Sequence, residues 1–146
     1  QVLQDFSDNG EKKVALFGLG QMNVVAAKAA ATLKDQGYDV ALINPRFTKP
    51  IDGDCHEKYA AAADLVITFE DHVLAGGYGS IVMEHLASKS ITTPVQRIGW
   101  PDEFIEHASS VDYLRNKHGL TAEAAVAKVA TQFADSKVTE ISATAA

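Results

Sequence analysis

The chain has 146 residues and a net charge of −6 at neutral pH, with 47% apolar and 22% charged residues. This size and composition are typical of one soluble globular domain, and no apolar run approaches the ~20 residues that a membrane-spanning helix needs. The negative charge and the lack of a dense basic patch argue against nucleic acid or an anionic membrane surface as the partner.

The chain begins with a polar segment and then a βαβ unit. Residues 1–12 contain the turn signal Asn9-Gly10 and are interpreted as a linker. Residues 13–18 predict a buried strand, residues 22–36 an amphipathic helix that ends at Gly37, and residues 39–43 a second buried strand. A crossover of this length makes the two strands parallel.

Residues 44–52 contain two prolines and predict a loop, after which Asp52 or Asp54 can cap the next helix. The next predicted elements are a helix ending near residue 62, a strand over 64–69, a helix over 81–88 and a strand over 93–98. A helix over 111–117 and a last helix over 121–133 follow, the last with an imperfect cap at Thr121. Residues 136–146 are expected to form a frayed tail.

Strands that alternate with helices predict an α/β fold with three layers. We expect a mostly parallel, possibly mixed, sheet of four to five strands with helices on both faces, in one domain over residues 13–135. The single Cys55 excludes an internal disulfide and, with no signal-peptide pattern, favours the cytoplasm. The start at Gln1 instead of Met is compatible with a piece of a longer protein, and the sequence leaves open whether Gln1 is a natural start.

The segment after the third strand is the most promising for function, because ligands and partner domains meet open α/β sheets at the carboxyl ends of strands. It combines Glu70, Asp71 and His72 with three glycines, Gly76, Gly77 and Gly79. One interpretation is a loop whose helix offers N–H groups to an anion. The other is that the glycines permit close packing while the two acids cap the helix. Crowded carboxylates here could have raised pKa values and share a proton with His72, and the alternative is that these side chains lie in solvent.

Other motifs carry weaker hypotheses. Gly18-x-Gly20 lies between a strand and a helix like a dinucleotide site, with Asp39 as the ribose ligand, but Asn23 replaces the third glycine. The adjacent Cys55, His56 and Glu57 would point in different directions on one helix, which argues against a metal site.

Two more residues have competing interpretations. Cys55 would need a neighbouring base, such as His72, His85, His107 or His118, to act as a nucleophile. Arg46 follows a proline and is a candidate for an interdomain ion pair, with a solvated surface side chain as the alternative.

Four motifs in order resemble the C-terminal domain of the transketolase group of thiamine diphosphate enzymes, over residues 13–132. Within that group the chain looks most like the 1-deoxy-D-xylulose-5-phosphate synthase family. The motifs are residues 18–22 (GLGQM), 46–52 (RFTKPID), 69–72 (FEDH) with 76–80 (GGYGS), and 98–105 (IGWPDEFI). His72 and Trp100 depart from the Asn and Leu common in that family.

The resemblance implies a whole enzyme that condenses pyruvate with glyceraldehyde 3-phosphate, releases carbon dioxide, and uses thiamine diphosphate and magnesium. It also implies that this domain binds neither, because the family's cofactor motif is absent from the chain. No catalytic, cofactor or metal residue is carried over, and the expected role is to support the active domains and the dimer.

The partners that the resemblance implies are the pyrimidine- and diphosphate-binding domains of the same enzyme and a second copy in a homodimer. The alternatives are a domain of a transketolase, a domain of a 2-oxo acid dehydrogenase decarboxylase β subunit, or a free-standing docking module. The contact candidates are Arg46, Glu70, Asp71, His72, Gly76, Gly77, Tyr78, Gly79 and Asp102.

Overall fold

The structure is a computed structural model that describes residues 1–9, 12–107 and 109–144. The strands in this part are β1 (Val2–Gln4), β2 (Lys13–Gly18), β3 (Asp39–Ile43), β4 (Leu65–Val73) and β5 (Val95–Trp100). The helices are α1 (Met22–Asp35), α2 (Gly53–Ala62), α3 (Tyr78–Ser88), α4 (Val111–His118) and α5 (Ala122–Thr144).

The strands form a single mixed sheet in the order β1-β3-β2-β4-β5. Strands β2, β3, β4 and β5 are parallel to one another, as the βαβ connections require. Strand β1 lies antiparallel to β3. The predicted α/β fold with a mostly parallel sheet is confirmed. Sequence analysis does not predict β1, which lies within the segment interpreted as a linker. Gly10 of the proposed Asn9-Gly10 turn lies outside the described residues.

A buried carboxylate at the start of β3 holds the N-terminal segment. Asp39 accepts hydrogen bonds from the backbone N–H groups of Ser7 at 2.8 Å and Asp8 at 2.9 Å, and from the Ser7 hydroxyl at 3.0 Å. Burial opposes ionisation, but these donors bring the pKa of Asp39 below its usual value. Asp39 is therefore already engaged in a structural role.

The apolar runs of the central strands are continuous because both faces of the sheet are covered. On β2, Val14 and Leu16 pack in one cluster with α1 and α5, whereas Ala15 and Phe17 pack in a second cluster with α2 and α3. This alternation follows from the two-residue period of a strand. The core is therefore divided into two halves, one on each side of the sheet.

Three element boundaries differ from the predicted ones by three or more residues, and β5 lies two residues later than predicted. β4 continues to Val73 because it pairs with β5 up to Trp100, so Glu70, Asp71 and His72 lie in a strand and not in a loop. α3 begins at Tyr78, three residues before the predicted start. α5 continues to Thr144, past the predicted end near residue 133, while fraying of residues 136–146 stays a prediction.

A buried histidine joins α2 to α3. His56 Nδ1 lies 2.6 Å from the Asp52 carbonyl oxygen, and Nε2 lies 2.7 Å from the Tyr78 hydroxyl. Because a carbonyl only accepts, Nδ1 carries the proton and Nε2 accepts from Tyr78. The ring stacks on Phe17 with centroids 4.6 Å apart. Burial lowers the pKa of His56, so the imidazole is neutral at pH 7.

This histidine makes stability depend on pH. Because the pKa of His56 is lower in the folded chain, the unfolded chain binds the extra proton first as the pH falls below the ordinary value of about 6.5. We expect the free energy of unfolding, measured with urea, to decrease between pH 7.5 and pH 5.5. The double variant His56→Phe with Tyr78→Phe should show a smaller decrease, and an equal decrease would contradict the assignment.

Candidate functional site

The start of α3 is capped by a carboxylate from the neighbouring strand. Glu70 is fully buried and accepts hydrogen bonds from the backbone N–H of Tyr78 at 2.5 Å and of Gly79 at 2.9 Å. These N–H groups have no partner inside the helix, and the helix dipole favours a negative charge beside them. The interpretation of Glu70 as a cap is confirmed, and it explains the early start of α3. For Asp71 the same interpretation is wrong, because its carboxylate bonds Trp100 and Arg115 instead.

Glycines make room for this buried carboxylate. A Cβ atom on Gly77 would lie 2.2 Å from Glu70 Oε2 and 2.3 Å from the Val73 carbonyl oxygen. A Cβ atom on Gly99 of β5 would lie 2.9 Å from Glu70 Cγ. Gly76 has a different role, because its φ of +70° turns the chain between β4 and α3. Close packing of helix on sheet therefore accounts for Gly77 and Gly99 but not for Gly76.

An arginine on β5 braces the same turn. Arg97 Nη1 donates to the Leu74 carbonyl oxygen at 2.9 Å and to the Ser80 hydroxyl at 3.0 Å. The Ser80 hydroxyl itself donates to the Leu74 carbonyl oxygen at 2.9 Å. The turn between β4 and α3 is thus held by a side chain from the neighbouring strand, and no such link is visible in the sequence.

The next residue along β4 points to the other face of the sheet. Asp71 Oδ1 accepts from the indole N–H of Trp100 at 2.8 Å, and Oδ2 lies 2.6 Å from Arg115 Nη2 on α4. Burial alone would raise the pKa of Asp71, but the bonds from Arg115 and Trp100 bring it below the usual value. Burial raises the pKa of Glu70. The predicted rise in pKa is thus confirmed for Glu70 and is wrong for Asp71.

The Asp71–Arg115 contact brings α4 beside an apolar groove, called here the α4 groove. Its volume is about 430 Å³, and it borders Asp71 and His72. Its apolar lining residues are Val73, Trp100, Ile105, Val111 and Leu114. Nearby, Phe104 is fully exposed, and Val111 and Tyr113 are more than half exposed. Exposed aromatic and aliphatic side chains around a groove are typical of a surface that binds another protein segment.

A smaller groove of about 320 Å³ lies on the other side of His72, between Thr48 and the start of α3. His72 is exposed and lines both grooves. Arg46 is exposed with a φ of +64°, and no ion pair of its side chain occurs among the described residues. Asp102 is exposed in the loop after β5. The structure thus brings Asp71 and His72 to one groove but does not join Arg46 to it.

Sequence reasoning did not identify Arg97 and Arg115 as site residues. Their contacts cross 17 to 44 positions of the chain. The one available signal for Arg115 is its place on a short helix after the motif at 98–105.

The described residues do not form a site for a nucleotide or a diphosphate. The amides at the start of α1 are engaged, because Met22, Asn23 and Val24 donate to Leu19, Gly20 and Gln21. Asp39 lies opposite Lys13 in the register of β2 and β3. It is therefore at the end of the sheet away from Gly18, and not beside the glycine turn. The donors of α3 are occupied by Glu70. The nucleotide hypothesis is therefore wrong, and the residues present do not fit the diphosphate of a thiamine cofactor.

The cysteine and metal hypotheses also lack support. Burial raises the pKa of the Cys55 thiol, whereas a nucleophile needs a lowered value. Glu57 pairs with His85 at 3.0 Å and Lys89 at 3.1 Å, away from the buried His56. No group of three or more potential metal ligands occurs among the described residues.

None of the helices in the described part of the chain is long and apolar enough to cross a bilayer.

The sheet with helices on both faces defines a three-layer α/β domain. The family model "Transketolase, C-terminal domain" matches residues 7–125, and the chain belongs to this family.

Within this family, individual relatives are similar to the chain over most of its length. The chain is 49% identical over 115 residues to the 1-deoxy-D-xylulose-5-phosphate synthase of Methylacidiphilum infernorum and 49% identical over 117 residues to that of Acidobacterium capsulatum. These alignments cover 79% and 80% of this chain but 18% of each relative. Among solved structures, a split-gene transketolase, described as an inactive β4 tetramer, is 34% identical to this chain with a TM-score of 0.78. The match covers 90% of this chain and 41% of the transketolase chain.

Two neighbouring glycines should respond differently to the same substitution. Gly77→Ala places a methyl group against Glu70 and backbone, and we expect it to lower the free energy of unfolding by about 3 kcal/mol. Gly76→Ala meets no atom within 4 Å and should cost about 1 kcal/mol for its positive φ. Urea denaturation of both variants checks this order, and equal losses would contradict it.

The cap on α3 can be tested by an isosteric change. Glu70→Gln replaces one acceptor oxygen by an NH₂ group that faces a backbone N–H. We expect a loss of about 2 kcal/mol in the free energy of unfolding. Glu84→Gln, on the exposed side of the same helix, is the matched control and should change stability by less than about 0.5 kcal/mol.

Proposed function

We propose that this chain is the C-terminal domain of a 1-deoxy-D-xylulose-5-phosphate synthase. The enzyme would condense pyruvate with glyceraldehyde 3-phosphate and release carbon dioxide. The observation that carries the proposal is the 49% identity to synthases over about four-fifths of this chain. Because the chain spans about a fifth of the length of these relatives, the rest of the enzyme has to come from outside it.

The proposed division of labour follows from the side chains present. Thiamine diphosphate supplies the carbanion chemistry when it is bound, with magnesium on its diphosphate. This chain has no free helix N-terminus at α3 to hold a diphosphate, because Glu70 fills that position. We therefore assign both cofactors to the pyrimidine- and diphosphate-binding domains, and to this chain a structural role.

That structural role is contact with other domains through the carboxyl edge of the sheet. Asp71, His72 and Asp102 lie at or beside the α4 groove and are the proposed direct contacts, with Arg46 on the adjoining loop. Glu70 is buried, so we propose that it acts indirectly. The other indirect residues, which shape the turn, are Gly76, Gly77, Tyr78 and Gly79. We further propose a homodimeric enzyme in the cytoplasm.

A second candidate is a domain of a split transketolase. The structural neighbour is described as a split-gene transketolase, and the likeness to it extends over 90% of this chain. In that case the chain would belong to a subunit that docks on a separate partner subunit and would contribute to a sugar-transferring enzyme. The two candidates share the docking role and differ in the substrates of the complete enzyme.

The test begins with the natural polypeptide that contains these residues. We expect it to be several times longer than 146 residues and, with thiamine diphosphate and magnesium, to release carbon dioxide from pyruvate when glyceraldehyde 3-phosphate is present. The 146-residue chain should show no heat of thiamine diphosphate binding in calorimetry. A long polypeptide that transfers two-carbon units from ketose phosphates would favour the transketolase candidate. Cofactor binding by the 146-residue chain would contradict the division of labour.

A further inference from the structure

Side-chain contacts fix the positions of the strands and the helix that line the α4 groove. Asp71 links Trp100 on β5 to Arg115 on α4, through contacts of 2.8 Å and 2.6 Å. The Trp100 ring also packs edge-on against His118, with centroids 5.6 Å apart. Because two strands and a helix share one carboxylate, the spacing between the groove walls is set before any partner arrives.

The segment that lines the groove from β5 to α4 carries more acidic than basic residues. Over residues 100–118 the carboxylates are Asp102, Glu103, Glu106 and Asp112, and the permanent cations are Arg115 and Lys117. Asp112 lines a different cavity, beside α1, and Asp71 reaches the groove from β4.

Both cations are already engaged. Arg115 pairs with Asp71 at 2.6 Å, and Lys117 pairs with Glu106 at 2.8 Å. Glu103 lies 3.5 Å from His118 Nδ1, whereas Asp102 has no ion-pair partner among the described residues. Asp102 therefore leaves an unpaired negative charge on this surface for a partner to meet.

The centre of the same surface is apolar. Phe104 directly follows Asp102 and Glu103 in the chain and is fully exposed, and Val111 and Tyr113 are 57% and 56% exposed. A second copy placed symmetrically on this surface would bring like carboxylates together, which costs free energy. Charge complementarity instead favours a partner segment that is basic around an apolar centre.

We propose that the α4 groove receives an apolar side chain flanked by lysine or arginine from one of the other domains of the same enzyme. Asp102 pairs with a basic side chain of that segment, and Phe104 covers the apolar one. This inference rests on the proposed function, because the partner segment lies in the part of the enzyme outside this chain. It adds the chemistry of the segment and the residues that recognise it.

The occupant can be identified by photo-crosslinking in the complete natural enzyme. p-Benzoylphenylalanine is placed at position 104, and after irradiation the crosslinked peptides are identified by mass spectrometry. We expect a crosslink to a segment of another domain in which lysine or arginine flanks an apolar residue. The control carries the same probe at Met83, an exposed apolar position on α3, and should give no crosslink to that segment.

Charge is tested separately. Asp102→Lys should lower the crosslink yield at position 104 by about threefold, as expected for a surface ion pair, and 0.5 M NaCl should act in the same direction. Glu84→Lys is the matched control, because it reverses one exposed carboxylate on α3 and should leave the yield unchanged. Both reversed residues are exposed, so neither variant disturbs the core.

Four results would overturn the proposal. They are a crosslink to a second copy of this same surface, a crosslink to a segment without basic residues, no interdomain crosslink at position 104, and a yield insensitive to Asp102→Lys. The proposed function fails in a different way. An enzyme that forms the expected crosslink but does not use pyruvate and glyceraldehyde 3-phosphate would remove the synthase assignment and leave the groove assignment in place.

Discussion

The buried carboxylate of Glu70 at the start of α3 is the interaction on which the carboxyl edge of the sheet depends. A fully buried carboxylate is costly unless hydrogen bonds compensate for lost water, and here two backbone N–H groups of the helix do so. The carboxylate also needs space, which explains why Gly77 and Gly99 tolerate no side chain. One acid thus determines where α3 begins and which neighbours can approach it.

The adjacent acid uses the opposite face of the same strand. Asp71 holds α4 through Arg115 and orients Trp100, whereas Glu70 holds α3. Since successive side chains of a strand alternate between faces, two neighbouring acids position two helices on the two sides of the sheet. The α4 groove is a consequence of the second contact, and its apolar lining is set beside a segment that carries more acidic than basic residues.

This arrangement bears on function. The positive end of a helix beside glycines resembles an anion site, but in this chain the anion is an internal side chain. The edge therefore leaves apolar side chains such as Phe104 exposed and keeps its helix dipole neutralised. A domain of this kind suits docking within a larger enzyme, which agrees with its family and with its short span of the relatives' length.

The sequence by itself determined the α/β class, the strands over 13–18 and 39–43, and the ordered motifs of the family, because buried parallel strands and turn residues leave local patterns. It left open whether Glu70 binds a ligand or caps a helix. Only the tertiary structure decided that, and it also added β1, extended β4 to Val73 and joined Asp71 to Arg115. These features rest on contacts between distant parts of the chain, and local residue patterns carry no record of such contacts.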